Sequence, residues 1–245
     1  MKKDVLRYAQ KFIKDFEITA PADPFKIAER LGIDIVYEKI TDAEAYLICG
    51  GNNTIILSDK LKNSNRVNFT IFHEIGHYII PWHNLNEFRC SKNDIGISTN
   101  NNLFESEANI FASEILLPTQ LIKDRIYKKN IDWELIKNIA NDTGASLTAT
   151  VLKVVDLYDG AMAFAYCIDK RVKWAYKNSY FNFDIVSKLN MYSFAYDFFE
   201  NHEEVNCDEK VYDYAWITNG DNDEIREISI SMKNLNAVFT ILLKK

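Results

Sequence analysis

Over residues 3–16 apolar side chains recur at intervals of three and four, with Val5, Leu6, Ala9, Phe12, Ile13 and Phe16 on one face, and this spacing predicts an amphipathic helix. The run TAPADPF breaks it. DPFKIAERLG predicts a short second helix, opened by Asp23 and Pro24 and closed by Gly32. IDIVYEKI and EAYLICG have the composition of strands, and GGNN turns the chain between AYLIC and TIILS, so a small antiparallel sheet is expected here. NSNRVNFTIFHEIGHYII then reads as a helix of about five turns, stopped by Pro81, and NLFESEANIFASEILLP as a second long helix, stopped by Pro118. A further helix is expected near residues 131–141, a break at NDTG, and another helix in SLTATVLKVVDLYDG. Beyond Gly160 the pattern changes: AMAFAYCI, RVKWAYKNSYF, EISISM and AVFTILL are rich in aromatic and β-branched residues and predict strands.

The expected fold class is therefore α+β, in three parts. Residues 1–128 would form a domain of a small sheet and two long helices, 129–160 a helical segment, and 161–245 a β-rich region. A chain of 245 residues with 47% hydrophobic content can bury a sizeable core. The net charge of −6 argues against a general binder of nucleic acid or anionic membrane. No apolar run approaches the ~20 residues of a membrane span, and the basic start MKKDVLRYAQKFIKDF has amphipathic spacing rather than the continuous apolar stretch of a signal peptide. Cys49, Cys90, Cys167 and Cys207 are scattered with no CxxC pair, which fits reduced thiols in a cytoplasmic protein. Nothing in the sequence sets an oligomeric state.

The chemistry centres on HEIGH, residues 73–77. Residues four apart on an α-helix lie nearly one above the other, so His73 and His77 can present two imidazole nitrogens to one tetrahedral Zn²⁺. Glu74, about a quarter-turn away, can stand beside the metal without ligating it and act as a proton acceptor. Phe69, Phe72, Ile75, Tyr78, Ile79 and Ile80 make the surroundings apolar, and two imidazoles buried there need partners. Gly76 is costly inside a helix, by about 1 kcal/mol relative to Ala, and implies close approach by another element.

A catalytic zinc site needs a third protein ligand. His83 follows closely but lies beyond Pro81. Glu105 shares a helix face with Asn109, Ala108 and Ala112, whose small residues permit close packing, and Asn109 could hydrogen-bond the second nitrogen of a histidine ligand. Glu107, on the opposite side of that helix, is the rival.

RVNFTIFHEIGHYII followed by ESEANIFASEILLP resembles the ImmA/IrrE family of zinc metallopeptidases, of the gluzincin group. Glu105, Glu107, Ala108, Asn109, Phe111, Ala112, Glu114, Leu116, Leu117 and Pro118 match the family's second motif, with Leu117 where Met is usual. DPFKIAERLGIDIVYE is similar to the family's entry segment, so the resemblance covers about residues 20–120. It implies His73, His77 and Glu105 as zinc ligands, Glu74 as general base, and a helix-turn-helix repressor as substrate, often encoded beside the peptidase on a mobile element or in a stress regulon.

LIKNIANDTGASLTATVLKVVDL itself resembles a helix-turn-helix, but its second helix carries only Lys153 as a cation against Asp156 and Asp159. Phosphate contact needs several, so DNA binding is not expected. A substrate strand is expected to pair near NTIIL. Tyr78, His83 and Tyr176 are candidates to stabilise an oxyanion. The rival to a peptidase is a protein that binds a repressor or DNA without cutting.

Overall fold

The N-terminal pattern forms helix α1 (Lys2–Asp15), with Val5, Ala9 and Phe12 buried. The computed structural model describes residues 2–62, 64, 66–83, 87–90, 101–201 and 203–244. They divide into two compact units: Met1–Leu121 with Ala140–Ser146, and Ile122–Ile139 with Leu147–Lys245.

In the first unit, α2 (Pro24–Arg30) begins as expected. The Asp23 carboxylate accepts hydrogen bonds from the backbone N–H of Phe25 at 3.1 Å and Lys26 at 3.3 Å, and proline occupies the first turn, where no donor is missed. Gly32 lies just beyond the helix with φ +67°, a left-handed conformation suited to glycine. Strands β1 (Ile33–Glu38), β2 (Ala45–Ile48), β3 (Asn53–Ser58) and β4 (Glu87–Cys90) form one sheet in the order β1-β3-β2-β4. This sheet is mixed, where an antiparallel one was expected: β2 runs antiparallel to β3 and β4, but β1 pairs parallel to β3. The GGNN turn does join β2 to β3, yet β3 inserts between β1 and β2. NTIIL is consequently an interior strand with both edges paired, and cannot accept an added strand. The sheet's edges are β1 and β4.

Helix α3 (Val67–Ile79) is thirteen residues long, shorter than the five turns expected. Ile80, just before a proline, is extended, and Pro81–His83 form a single 3-10 turn. Helix α4 (Asn101–Leu116) packs along α3, and α1 packs on α4. The α3–α4 approach is close at Gly76. A Cβ placed there would sit 3.2 Å from Phe111 Cδ1, 3.3 Å from Phe111 Cβ and 3.4 Å from Ala108 Cα, so the glycine is what allows this spacing.

Pro118 ends α4 but also precedes a helix that the sequence pattern does not predict, α5 (Thr119–Ile126). The Glu114 carboxylate receives the Thr119 N–H at 3.0 Å and its hydroxyl at 2.6 Å. Helices α6 (Trp133–Thr143) and α7 (Leu147–Leu157) follow, separated by a turn in which Gly144 has φ +68°.

In the second unit, β5 (Ala161–Ile168), β6 (Arg171–Lys177), β7 (Asn206–Tyr212), β8 (Glu224–Met232) and β9 (Ala237–Lys244) form an antiparallel sheet in the order β6-β5-β9-β8-β7. Helix α7 packs on β5 and β6, and α8 (Phe194–Asn201) on β8 and β9. One polar group organises the α8 side. Glu227 is fully buried, and its carboxylate accepts from the N–H groups of Phe194 (3.2 Å) and Ala195 (2.8 Å), Trp216 Nε1 (2.7 Å) and Ser229 Oγ (2.8 Å). It caps α8 and holds Trp216 in the core formed with Phe181, Ala195 and Leu242. Among the described residues no helix is long and apolar enough to cross a membrane. Cys49, Cys167 and Cys207 are free thiols; the side chain of Cys90 lies outside the described set.

Removing the Glu227 carboxylate strands several buried donors at once, and each unsatisfied buried donor costs roughly 1–3 kcal/mol. Glu227→Ala is expected to lower the urea midpoint of the protein substantially while leaving its metal content unchanged, as read by denaturation followed by tryptophan fluorescence and by elemental analysis.

Candidate metal centre

Helix α3 brings His73 and His77 to one face, as the four-residue spacing requires. Their Nε2 atoms are 3.1 Å apart. Across the seam, Glu105 in α4 reaches both: Oε2 lies 3.1 Å from His73 Nε2 and Oε1 lies 3.3 Å from His77 Nε2. All three side chains are buried. They are the only group among the described residues in which His, Cys, Asp or Glu donor atoms gather closely enough to hold an ion.

Whether this triangle fits a metal can be tested on its size and chemistry. Donors about 2.0–2.1 Å from a tetrahedral zinc stand about 3.3 Å from one another, close to the three separations here. Two imidazoles and one carboxylate are a donor set typical of catalytic zinc. The second nitrogens of both histidines point away from the triangle and are engaged elsewhere. His73 Nδ1 is 2.9 Å from Asn109 Oδ1, the role expected for Asn109, and His77 Nδ1 is 3.0 Å from His83 Nδ1. The residues present fit a divalent cation. Glu74, fully buried, adjoins His73 on the same helix.

The electrostatics of the metal-free site separate the two histidines. For His73, burial opposes a charge. The hydrogen bond to Glu105, the negative charges of Glu74 and Glu105 and the bond to Asn109 together outweigh it and hold the imidazole above its usual range. For His77, burial dominates and, helped by the charges of His73 and His83, pushes the imidazole down to about 4 despite Glu105. Burial would raise Glu105, but the hydrogen bonds and charges of both histidines overcome it and hold its carboxyl at about 2.

His83 returns to the site in a way the sequence did not anticipate. It is buried, but its nitrogens face His77 Nδ1 and Glu107 Oε2, the latter at 3.0 Å. It therefore joins the far side of His77 and is not a third donor in the triangle, both its ring nitrogens being engaged there. Glu107, the rival ligand, lies outside the triangle as well, accepting from His83 and from Trp82 Nε1 at 2.6 Å. Of the other oxyanion candidates, the Tyr78 hydroxyl accepts a hydrogen bond from Asn53 Nδ2 at 3.2 Å. Tyr176, in the second unit, donates to Asp156 at 2.6 Å.

Comparison with known proteins adds two findings. The family profile of the IrrE N-terminal-like domain, Peptidase_M78, matches residues 28–154, just over half of the chain and inclusive of both α3 and α4. Among solved structures, a Mycobacterium tuberculosis transcriptional regulator is similar in fold, with a TM-score of 0.53 at 14% identity over 98% of this chain and 75% of that one. No curated protein sequence matches.

Two outcomes follow from this geometry. Glu105→Ala leaves two histidines as the donors of this triangle, and equilibrium dialysis against zinc should show stoichiometric uptake lost. Retention of one tightly held ion would place the third donor elsewhere. Second, a cation competes with protons for His73, whose imidazole is held above its usual range, more than for His77, whose imidazole is held at about 4. Zinc affinity should therefore rise with pH through and above the ordinary imidazole value of 6.5, with proton release on binding, measurable by calorimetry in buffers of differing ionisation enthalpy. Affinity that falls over that range would contradict the assignment.

Proposed function

The chain belongs to the IrrE N-terminal-like peptidase family, and on that premise we propose that it is a cytoplasmic zinc-dependent endopeptidase that cuts a helix-turn-helix transcriptional repressor and so relieves repression. The observation that carries the chemistry is the convergence of His73, His77 and Glu105 in a buried seam with Glu74 beside them. Zinc held there would supply a Lewis acid that polarises the scissile carbonyl and makes water a competent nucleophile near neutral pH. The protein's own part is proton handling and positioning. Glu74 takes a proton from the attacking water and returns it to the leaving amine. Burial of the carboxylate keeps bulk water from competing for that proton. Asn109 orients His73 through its Nδ1.

The repressor substrate rests on family membership; the likeness to a transcriptional regulator is one of fold. A direct DNA-binding role is disfavoured. Helix α7, the would-be recognition helix, buries Thr150, Val151, Val154 and Val155 and packs on β5 and β6 within its own unit. It carries Lys153 as its only cation, whereas phosphate contact requires several.

Glu74→Gln preserves side-chain size and leaves the donor triangle untouched. The variant is expected to fold, keep its zinc and lose repressor cleavage by ~10²–10⁴ in rate. In cells carrying a reporter under the neighbouring repressor, wild type should lift repression and yield a shortened repressor on an immunoblot, and the variant should do neither. Equal derepression by both, with the repressor intact, would replace proteolysis by sequestration.

A further inference from the structure

His77 has a second partner chain that the metal triangle does not require. Its Nδ1 lies 3.0 Å from His83 Nδ1, His83 Nε2 lies 3.0 Å from Glu107 Oε2, and the same oxygen accepts Trp82 Nε1–H at 2.6 Å. His83 and Glu107 are both almost fully buried, at 1% and 2% exposure, so water does not substitute for these contacts. The local chain explains the placement. Proline stops α3, and the 3-10 turn Pro81–His83 folds back, held by the His83 N–H donating to the Ile80 carbonyl at 3.0 Å. Trp82 and His83 are thereby delivered together onto Glu107 of α4.

The directions of the bonds in this chain can be followed from its far end. An indole nitrogen can only donate, so Glu107 Oε2 is an acceptor. An acceptor oxygen favours the N–H of His83 on Nε2. That leaves His83 Nδ1 with a lone pair, which can only accept from His77 Nδ1–H. A neutral imidazole carries one N–H; its two sides face His83 Nδ1 at 3.0 Å and Glu105 Oε1 at 3.3 Å, and the shorter contact puts the N–H on Nδ1 and the lone pair on Nε2, the atom in the metal triangle.

We propose that Trp82, Glu107 and His83 form a polarised relay that fixes His77 as its Nδ1–H tautomer and so presents Nε2 as a ready metal donor. His83 is in this sense a positioning residue, and Glu107, which matches the same family motif as Glu105, has a task of its own. The Nδ1 of His73 faces a neutral amide instead, that of Asn109. The two histidines of one motif are thus oriented by different means, with the Glu107 carboxylate, through His83, behind His77 Nδ1 and an amide behind His73 Nδ1. The proposal rests on the metal-site part of the functional reading but does not require peptidase activity.

The test uses the full chain and two substitutions. His83→Phe keeps a ring and removes the acceptor. His83→Asn keeps an oxygen acceptor where Nδ1 stood. In metal-free protein, long-range ¹⁵N–¹H correlation spectra report the His77 tautomer directly, and zinc affinity is read by competition with a chromophoric chelator. The Nδ1–H form is expected in wild type and His83→Asn and a mixed population in His83→Phe. Zinc binding by His83→Phe should be weaker by about 10–100-fold, and that by His83→Asn largely restored. A wild-type His77 protonated on Nε2, or a folded His83→Phe that binds zinc as tightly as wild type, overturns the relay. If His83→Phe does not fold, the wild-type tautomer and the behaviour of His83→Asn still decide it. A wild type with the expected tautomer and zinc affinity but no cleavage of any repressor supports the relay while sinking the peptidase reading.

Discussion

Two imidazoles and a carboxylate meet inside an apolar seam between α3 and α4, and polar groups buried this way are tolerated only where each has a partner. Most of the first unit is organised around that requirement. The small residues at Gly76 and Ala108 let the two helices approach until Glu105 spans both histidines. Asn109 and His83 take up the nitrogens that face outward, and Glu107 takes up the next N–H in turn. The sheet supplies a floor, with Leu47, Ile55 and Leu57 buried in β2 and β3 and α3 packed on β2. Each layer satisfies groups that the layer inside it leaves open.

What could be read from the sequence follows the range of the interactions concerned. The pairing of His73 with His77 depends on helical pitch alone, and the shared face of Glu105 and Asn109 is equally local; both were legible. So were the capping of α2 by Asp23 and the close approach implied by Gly76. The mixed character of the first sheet was not legible, because β1 and β3 have the same local pattern whether they run parallel or antiparallel, and only the insertion of β3 between β1 and β2 decides it. The place of His83 is not legible in the sequence because Pro81 reads as a terminator. The 3-10 turn that reverses the chain within three residues leaves no periodic trace.

The second unit shows the same limits. Strands β5, β8 and β9 are visible as apolar, β-branched runs, but β7 lies in an acidic stretch at the sheet edge. There its exposed side chains carry no alternation to detect. Helix α8 is eight residues long and depends on a cap supplied from β8, more than twenty residues later, by Glu227. That carboxylate, held above its usual range mainly by burial, is a tertiary feature written nowhere near the helix it begins.

The bare backbone of Gly76 has a practical corollary. The donors come from two separate helices, so the distance between those helices is an adjustable parameter of the site, and position 76 is where it is set. Side chains of increasing bulk introduced there would act as spacers of graded thickness, opening the seam by small increments without altering any donor atom. Ion selectivity, which depends on cavity size as well as on ligand chemistry, could then be tuned from a residue that touches no ion.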